Sequence, residues 1–340
     1  MNNTTRIGID LAKNIFQLCL TDERGRVIKN IKLKRVELLA FIAQQSPCEI
    51  ILEACATSNY WARQFSEFGH TVKLIHPLYV RPYVKTNKND ATDAEALCEA
   101  ASRPTMRFVH PKTPMQQDIQ LLHRVRSRLV AQRTAVVNQT RGLLAEYGLI
   151  MPIGIGQLRK QLPLILEDAE NDLSTTARQT FHLLYDELQD LDERVACAKQ
   201  SIDNISRENE ACTRLMTIPG VGPIVATAVY SVMGSAQQFR HGREFAAFLG
   251  LVPKQYSTGG KQVLRGISKR GDSHTRMLLI QGAMAALNHM HKKDDRLSRW
   301  GCQLKARRGT AITVVALANK MARICWALSA HQTTYKQAMA

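Results

Sequence analysis

Ten apolar residues recur along one stretch of this 340-residue chain at intervals of 4, 4, 3, 4, 3, 4, 3, 4 and 3. They are Leu173, Ala177, Phe181, Leu184, Leu188, Leu191, Val195, Ala198, Ile202 and Ile205. Such spacing returns to one helix face every seven residues, so it demands a single α-helix about 50 Å long at ~1.5 Å per residue. The rest of that helix is polar and acidic, so the seam needs an apolar partner. The preceding helix or the protein's own core could cover it. The polar remainder favours a projecting arm that oligomerises, giving a homodimer or homotetramer through 173–205.

The residues before the arm have a different rhythm. Ile7–Asp10, Ile15–Leu20 and Val27–Leu33 read as three successive strands, with a turn at Asp22-Glu23-Arg24-Gly25. A helix over 35–45, a strand over 49–53, a helix over 59–68 and a strand over 71–75 follow, then a helix from Thr92 to Ser102 and a short strand over 107–110. Three hairpin-like strands followed by alternating elements predict an α/β domain of RNase-H-like type over 1–111. A long helix is expected over 114–148, bearing Arg124, Arg126, Arg128, Arg133 and Arg141. A break follows over 149–165, where Pro152, Gly154, Gly156 and Pro163 fall. The basic helix and coiled-coil arm occupy 112–210. A mainly helical domain fills 211–340, with helices over 273–291, 294–307 and 311–330, the last apolar around most of its circumference.

Four carboxylates stand where this fold would aim them at one point. Asp10 closes the apolar strand Arg6-Ile7-Gly8-Ile9-Asp10, and Glu53 closes Glu49-Ile50-Ile51-Leu52-Glu53. Asp90 and Asp93 lie three apart, and so share a helix face. Acids at a helix start gain only ~0.3–1 kcal/mol from the dipole. A buried strand-end glutamate costs several kcal/mol unless it is paired or ligates a metal. Oxygen donors in this number suit Mg²⁺ (or Mn²⁺), which clamps attacking and leaving oxygens in phosphoryl transfer.

The charge distribution points the same way. The chain carries +17, yet residues 161–210 carry −8, with 4 Lys/Arg against 12 Asp/Glu, so the remainder carries +25. Residues 251–310 hold 13 Lys/Arg and 3 Asp. A merely solubilising surface would not be so uneven, and a polyanionic partner explains it. Lys13 and Lys88, beside the acids, would offset their charge or hold phosphates. The eight cysteines show no CxxC pair and read as reduced thiols of a cytosolic protein. No run reaches the ~20 apolar residues of a membrane span, and Asn2-Asn3-Thr4-Thr5 starts no secretory signal.

Two motifs mark the last third. Ile218-Pro219-Gly220-Val221-Gly222-Pro223 is a tight glycine turn opening a helix, able either to grip a phosphate or simply to pack. Gly250-Leu251-Val252-Pro253-Lys254-Gln255-Tyr256-Ser257-Thr258-Gly259-Gly260-Lys261 and Gly266-Ile267-Ser268-Lys269-Arg270-Gly271-Asp272 form a basic loop pair around a Ser-Thr dipeptide. A hydroxyl beside Lys254, Lys261, Lys269 and Arg270 could attack a phosphate or only donate a hydrogen bond to it.

Taken together, G-I-D-x-A-K at 8–13, L-E-A-C at 52–55, K-N-D-A-T-D-A at 88–94, I-P-G-V-G-P at 218–223 and the two basic motifs resemble the DEDD transposases of insertion sequences, relatives of the Piv/MooV DNA invertases. The resemblance spans nearly the whole chain. It implies a RuvC-like domain, a coiled-coil arm and a C-terminal transposase domain. It also implies a metal tetrad at Asp10, Glu53, Asp90 and Asp93, and a serine that links covalently to donor and target DNA in a site completed across protomers. A noncoding guide RNA from the element's flank is implied as a further partner. Many relatives have the serine directly before the glycine, where Thr258 stands here; a one-residue gap at Gly259-Gly260 restores Ser257 as the nucleophile. The reaction class implied is recombination, with a hydrolytic junction nuclease or a non-catalytic nucleic-acid-binding protein as alternatives.

Overall fold

The computed structural model of the protein describes residues 4–84 and 90–335. The chain divides into two compact units, Met1–Pro114 and Met115–Ala340. Lys88 and the side chain of Asp90 lie outside the described residues.

The first unit is a mixed sheet with helices. Strands β1 (Arg6–Asp10), β2 (Ile15–Thr21) and β3 (Val27–Lys34) form an antiparallel meander, β4 (Glu49–Glu53) and β5 (Thr71–Ile75) extend it in parallel, and β6 (Phe108–Val109) returns antiparallel. The strand order is β3-β2-β1-β4-β5-β6. Helices α1 (Arg35–Ala43), α2 (Ser58–Glu67), α3 (Pro77–Val80) and α4 (Asp90–Ala101) complete it. Side-chain alternation divides the two faces of the sheet. Ile7, Ile9, Ile50 and Leu52 pack with Leu38, Ile42, Trp61 and Phe65 from α1 and α2, while Ile51 packs with Ala96, Leu97 and Ala100 of α4.

The second unit is mainly helical: α5 (Pro114–Ala145), α6 (Ile155–Glu167), α7 (Thr175–Glu208), α8 (Glu210–Met216), α9 (Pro223–Met233), α10 (Gly242–Phe248), α11 (Ser273–Met290) and α12 (Arg296–His331). Its only strands among the described residues are the hairpin β7 (Pro253–Gln255) and β8 (Leu264–Ile267). The long helix predicted from the heptads is α7, but its seam is filled within the chain. Leu173, Ala177, Phe181, Leu188, Leu191 and Val195 are buried with Leu129, Val136, Val137 and Leu144 of α5 and Leu158, Leu162 and Leu166 of α6. The expected interface between copies through this seam is therefore corrected: α5 has an apolar stripe of its own, and α6 supplies a second.

The supposed break at 149–165 holds α6, with Pro163 inside it. Three leucines spaced by four give that helix a buried stripe, whose packing outweighs the one hydrogen bond a proline removes. The helices expected at 294–307 and 311–330 are the two arms of α12, joined at non-helical Gly309. By length and composition α12 could cross a membrane, contrary to the sequence expectation that no run would. Its second arm instead lies in this unit's core through Val314, Leu317, Ala318, Met321, Ala322 and Cys325.

The turn at Gly220 is a packing turn. A methyl group added there would stand 2.3 Å from the carbonyl oxygen of Gly282, and one added at Gly282 would meet the Gly220 oxygen at 2.3 Å. Two bare backbones in contact account for these glycines without a phosphate.

Candidate active site

The acidic end of the first unit is built by strand register. Arg6 to Ile9 pair with Glu49 to Leu52, so Asp10 and Glu53 end neighbouring parallel strands about 4.8 Å apart. Both lie two residues beyond positions that face α4, namely Gly8 and Ile51, so both belong to that face. Each is half-buried rather than buried as expected for Glu53. The Cys55 thiol reports their closeness: its pKa is raised by desolvation first, and then by the charges of Glu53 and Asp10.

Gly8 sets how near α4 comes. An ideal Cβ on Gly8 would stand 2.4 Å from the Ala94 carbonyl oxygen, 2.8 Å from Cys98 Sγ and 3.3 Å from Leu97 Cβ. Further toward the strand starts, Arg6 donates to the Cys98 carbonyl at 3.4 Å. The helix thus runs against β1 with its first turn, bearing half-buried Asp93, toward the end where Asp10 lies. A glycine between two buried isoleucines was the sequence signal for this approach.

At the other end of the same face, Glu49 takes a 2.5 Å hydrogen bond from Arg6 Nε and an ion pair from Lys73. Burial works against its charge, yet these two cations hold its carboxyl below the usual range. Among the described residues no three His, Cys, Asp or Glu side chains lie close enough to hold a metal. The acids at the Asp10 end are all hard oxygen donors, a set that suits Mg²⁺ or Mn²⁺, and Asp90, the fourth predicted acid, opens α4.

In the second unit, the Ser-Thr dipeptide lies on the exposed β7–β8 hairpin. Gly259 and Gly260, at φ 55° and 76°, form a two-residue turn closed by the Thr258–Lys261 bridge. These glycines thus serve the turn. Gln255 pairs with Leu264, and Tyr256 N–H donates to the Val263 carbonyl at 2.9 Å. Alternation then puts Gln255, Ser257, Gln262 and Leu264 on one face, and Lys254, Tyr256, Thr258, Lys261, Val263 and Arg265 on the other. Two contacts agree: Gln255 Nε2 donates to Ser257 Oγ at 3.2 Å, and the Arg265 guanidinium lies 5.1 Å from the Tyr256 ring centroid. Ser257 and Thr258 are neighbours in sequence but face opposite ways.

The remaining predicted nucleic-acid contacts fall into two groups. Lys13, Arg124, Arg128, Lys254, Lys261, Lys269 and Arg270 are exposed. Arg133 instead pairs with Asp192 at 2.9 Å, which also binds Arg159, tying α5, α6 and α7 together. Arg126 is half-buried with its Nε enclosed, and its pKa is lowered by burial and then by Arg133.

An acidic strand end and a cationic hairpin in one chain suit a protein that works on a polyanion. Comparison with known proteins agrees. Residues 7–149 match a family model described as a transposase, and residues 212–298 match one described as the transposase IS116/IS110/IS902 family. A probable family 20 transposase of Pseudomonas aeruginosa is 48% identical over 98% of this chain and 99% of its own. The transposase for insertion sequence element IS1111A of Coxiella burnetii is 45% identical over 99% of this chain and 92% of its own. A pilin gene-inverting protein of Moraxella lacunata is 24% identical over 75% of this chain and 74% of its own. The chain belongs to the IS110/IS116/IS902 family of transposases.

Proposed function

We propose that this transposase moves an insertion sequence by transesterification, with Ser257 attacking a DNA phosphodiester and a noncoding RNA from the element choosing donor and target DNA. The observation that carries the reading is the shared face of Asp10 and Glu53 at neighbouring parallel strand ends, under the helix that bears Asp93. The strand order β3-β2-β1-β4-β5 supports an RNase-H-like assignment for the first unit. Asp10, Glu53, Asp90 and Asp93 would hold Mg²⁺ or Mn²⁺, which when bound polarises the scissile phosphate and offsets transition-state charge.

Ser257 is preferred to Thr258 because the motif resemblance, with a one-residue gap at Gly259-Gly260, aligns it with the family's serine. The Gln255 amide that donates to its oxygen holds the side chain's orientation and leaves the hydroxyl proton free to be given up. In the first step a bond forms from Ser257 Oγ to phosphorus and the bond to one deoxyribose oxygen breaks. The proton the serine loses balances the one the leaving oxygen gains. The phosphoserine diester conserves the bond, so attack by a second strand's hydroxyl reseals DNA and restores the serine. That a relative is named a pilin gene-inverting protein fits cutting and resealing without loss of DNA. The exposed cations Lys13, Arg124, Arg128, Lys254, Lys261, Lys269 and Arg270 would carry the phosphates of DNA and RNA. The active assembly is a dimer or tetramer in the cytosol, its copies meeting away from the filled α7 seam.

The test is a covalent adduct. DNA incubated with protein and Mg²⁺ should stay attached through denaturant and be freed by protease. Ser257→Ala should lose the adduct, while Thr258→Ala should keep it. Free DNA ends with no adduct would mean hydrolysis, and an adduct persisting in Ser257→Ala would remove this serine from the chemistry.

A further inference from the structure

We infer that the hairpin face opposite Ser257 is a stacking platform for one unpaired DNA base, formed by Tyr256 on the Arg265 guanidinium with Lys254 and Lys261 beside it. The inference rests on the reading that this hairpin works on DNA, but its geometry is independent of which hydroxyl reacts.

Tyr256 is 65% exposed although it is a large aromatic residue. Arg265 covers its ring at 5.1 Å, which fixes the ring's orientation and leaves it accessible. A cross-strand pair of this kind steadies a hairpin on its own. Steadying alone does not explain the charge. From Val252 to Gly271 the chain has five Lys/Arg and no Asp or Glu. Among the described residues, none of Lys254, Lys261 and Arg265 has a carboxylate within ion-pair distance. Like charges crowded on a two-stranded ribbon repel, and a polyanion laid along the face relieves them.

An aromatic ring backed by a guanidinium and flanked by lysines is the combination that binds single-stranded nucleic acid, with bases stacked and phosphates neutralised. In paired DNA the bases are already stacked on each other, so the platform selects a base out of its pair. DNA is favoured over RNA because Ser257 stands one residue away on the other face of the same thin ribbon. A duplex opened at the hairpin would send one strand to each face.

Full-length protein is titrated by fluorescence anisotropy with labelled oligo(dT), with a duplex, and with oligo(U), at several salt concentrations. Tyr256→Ala and Tyr256→Leu should weaken oligo(dT) binding about tenfold, with the salt slope unchanged, because no phosphate contact is lost. Tyr256→Phe should bind like wild type. Lys254→Ala and Lys261→Ala should each lower the salt slope by roughly one. Duplex binding should not respond to Tyr256. Unchanged oligo(dT) affinity in Tyr256→Leu, an equal loss for duplex, or a loss confined to oligo(U) would each overturn the platform. Ser257→Ala separates the two readings. It should bind oligo(dT) as wild type does, and if it still formed the DNA adduct the nucleophile assignment would fall while the platform stood.

Discussion

Gly8→Ala tests whether the approach of α4 to β1 positions the acids. The added methyl would lie 2.4 Å from the Ala94 carbonyl oxygen and 2.8 Å from Cys98 Sγ. An ordinary carbon–oxygen contact is about 3.3 Å, so α4 must withdraw by roughly 1 Å. The oxygen is helix backbone and cannot rotate away as a side chain could. Overpacking of this kind destabilises by about 1–3 kcal/mol, which urea unfolding monitored by circular dichroism would register as a lower midpoint with an unchanged slope. The same shift carries the helix bearing Asp93 relative to Asp10 and Glu53. A displacement of ~1 Å at a reacting centre can cost about 100-fold in rate. DNA cleavage by the folded variant should fall by about that factor with DNA affinity unaltered, and Asp10→Asn, measured beside it, should lose cleavage altogether. Replacing Cys98 by Ala in the same background should recover only part of the loss, since the carbonyl clash remains. Wild-type cleavage and stability in Gly8→Ala would refute the claim that this contact sets the acids.

Leu188 is 1% exposed within the helical core of the second unit. Leu188→Ala should cost about 2–5 kcal/mol in unfolding free energy without changing the mass seen by light scattering. A drop in mass would return the seam to an interface between copies. His123 donates to or accepts from Thr227 Oγ1 at 2.9 Å, and its Nδ1 is buried without a hydrogen-bond partner. Burial, then His274 and Arg126, push its pKa down to about 4. The unfolded chain takes up that proton near pH 6.5, so stability present above 6.5 is lost as pH falls toward 4, by about 3 kcal/mol in all. Compared with wild type at pH 7.5 and 4.5, His123→Gln should lose less stability on acidification. Equal losses would contradict the buried neutral imidazole.

Much of the first unit was legible because its signals are local. Asp10 and Glu53 each end an apolar strand, and strand register alone made them neighbours. The close approach at Gly8 was not, because it depends on which helix crosses that strand, although a glycine between Ile7 and Ile9 hinted at it. The heptads announced α7, but periodicity states only that a face is apolar, not what covers it; the complement lay in α5 and in an α6 disguised by Pro152, Gly154 and Pro163. Arg133 and Arg128 look alike in sequence, and only the position of Asp192 separates a structural tie from an exposed cation. Tyr256 was visible within its motif, yet its stacking on Arg265 follows from a register that the sequence did not specify.

That Ser257 and Thr258 face opposite ways has a consequence for how such an enzyme can change. The two-glycine turn fixes which residue of one strand opposes which of the other. A pairing slip of one residue exchanges the faces of a strand. Losing or gaining a single glycine there could therefore exchange the two hydroxyls without altering either of them. Point substitution cannot make that exchange in one step; an insertion or deletion can. The length of the turn decides which hydroxyl lies on which face of the hairpin.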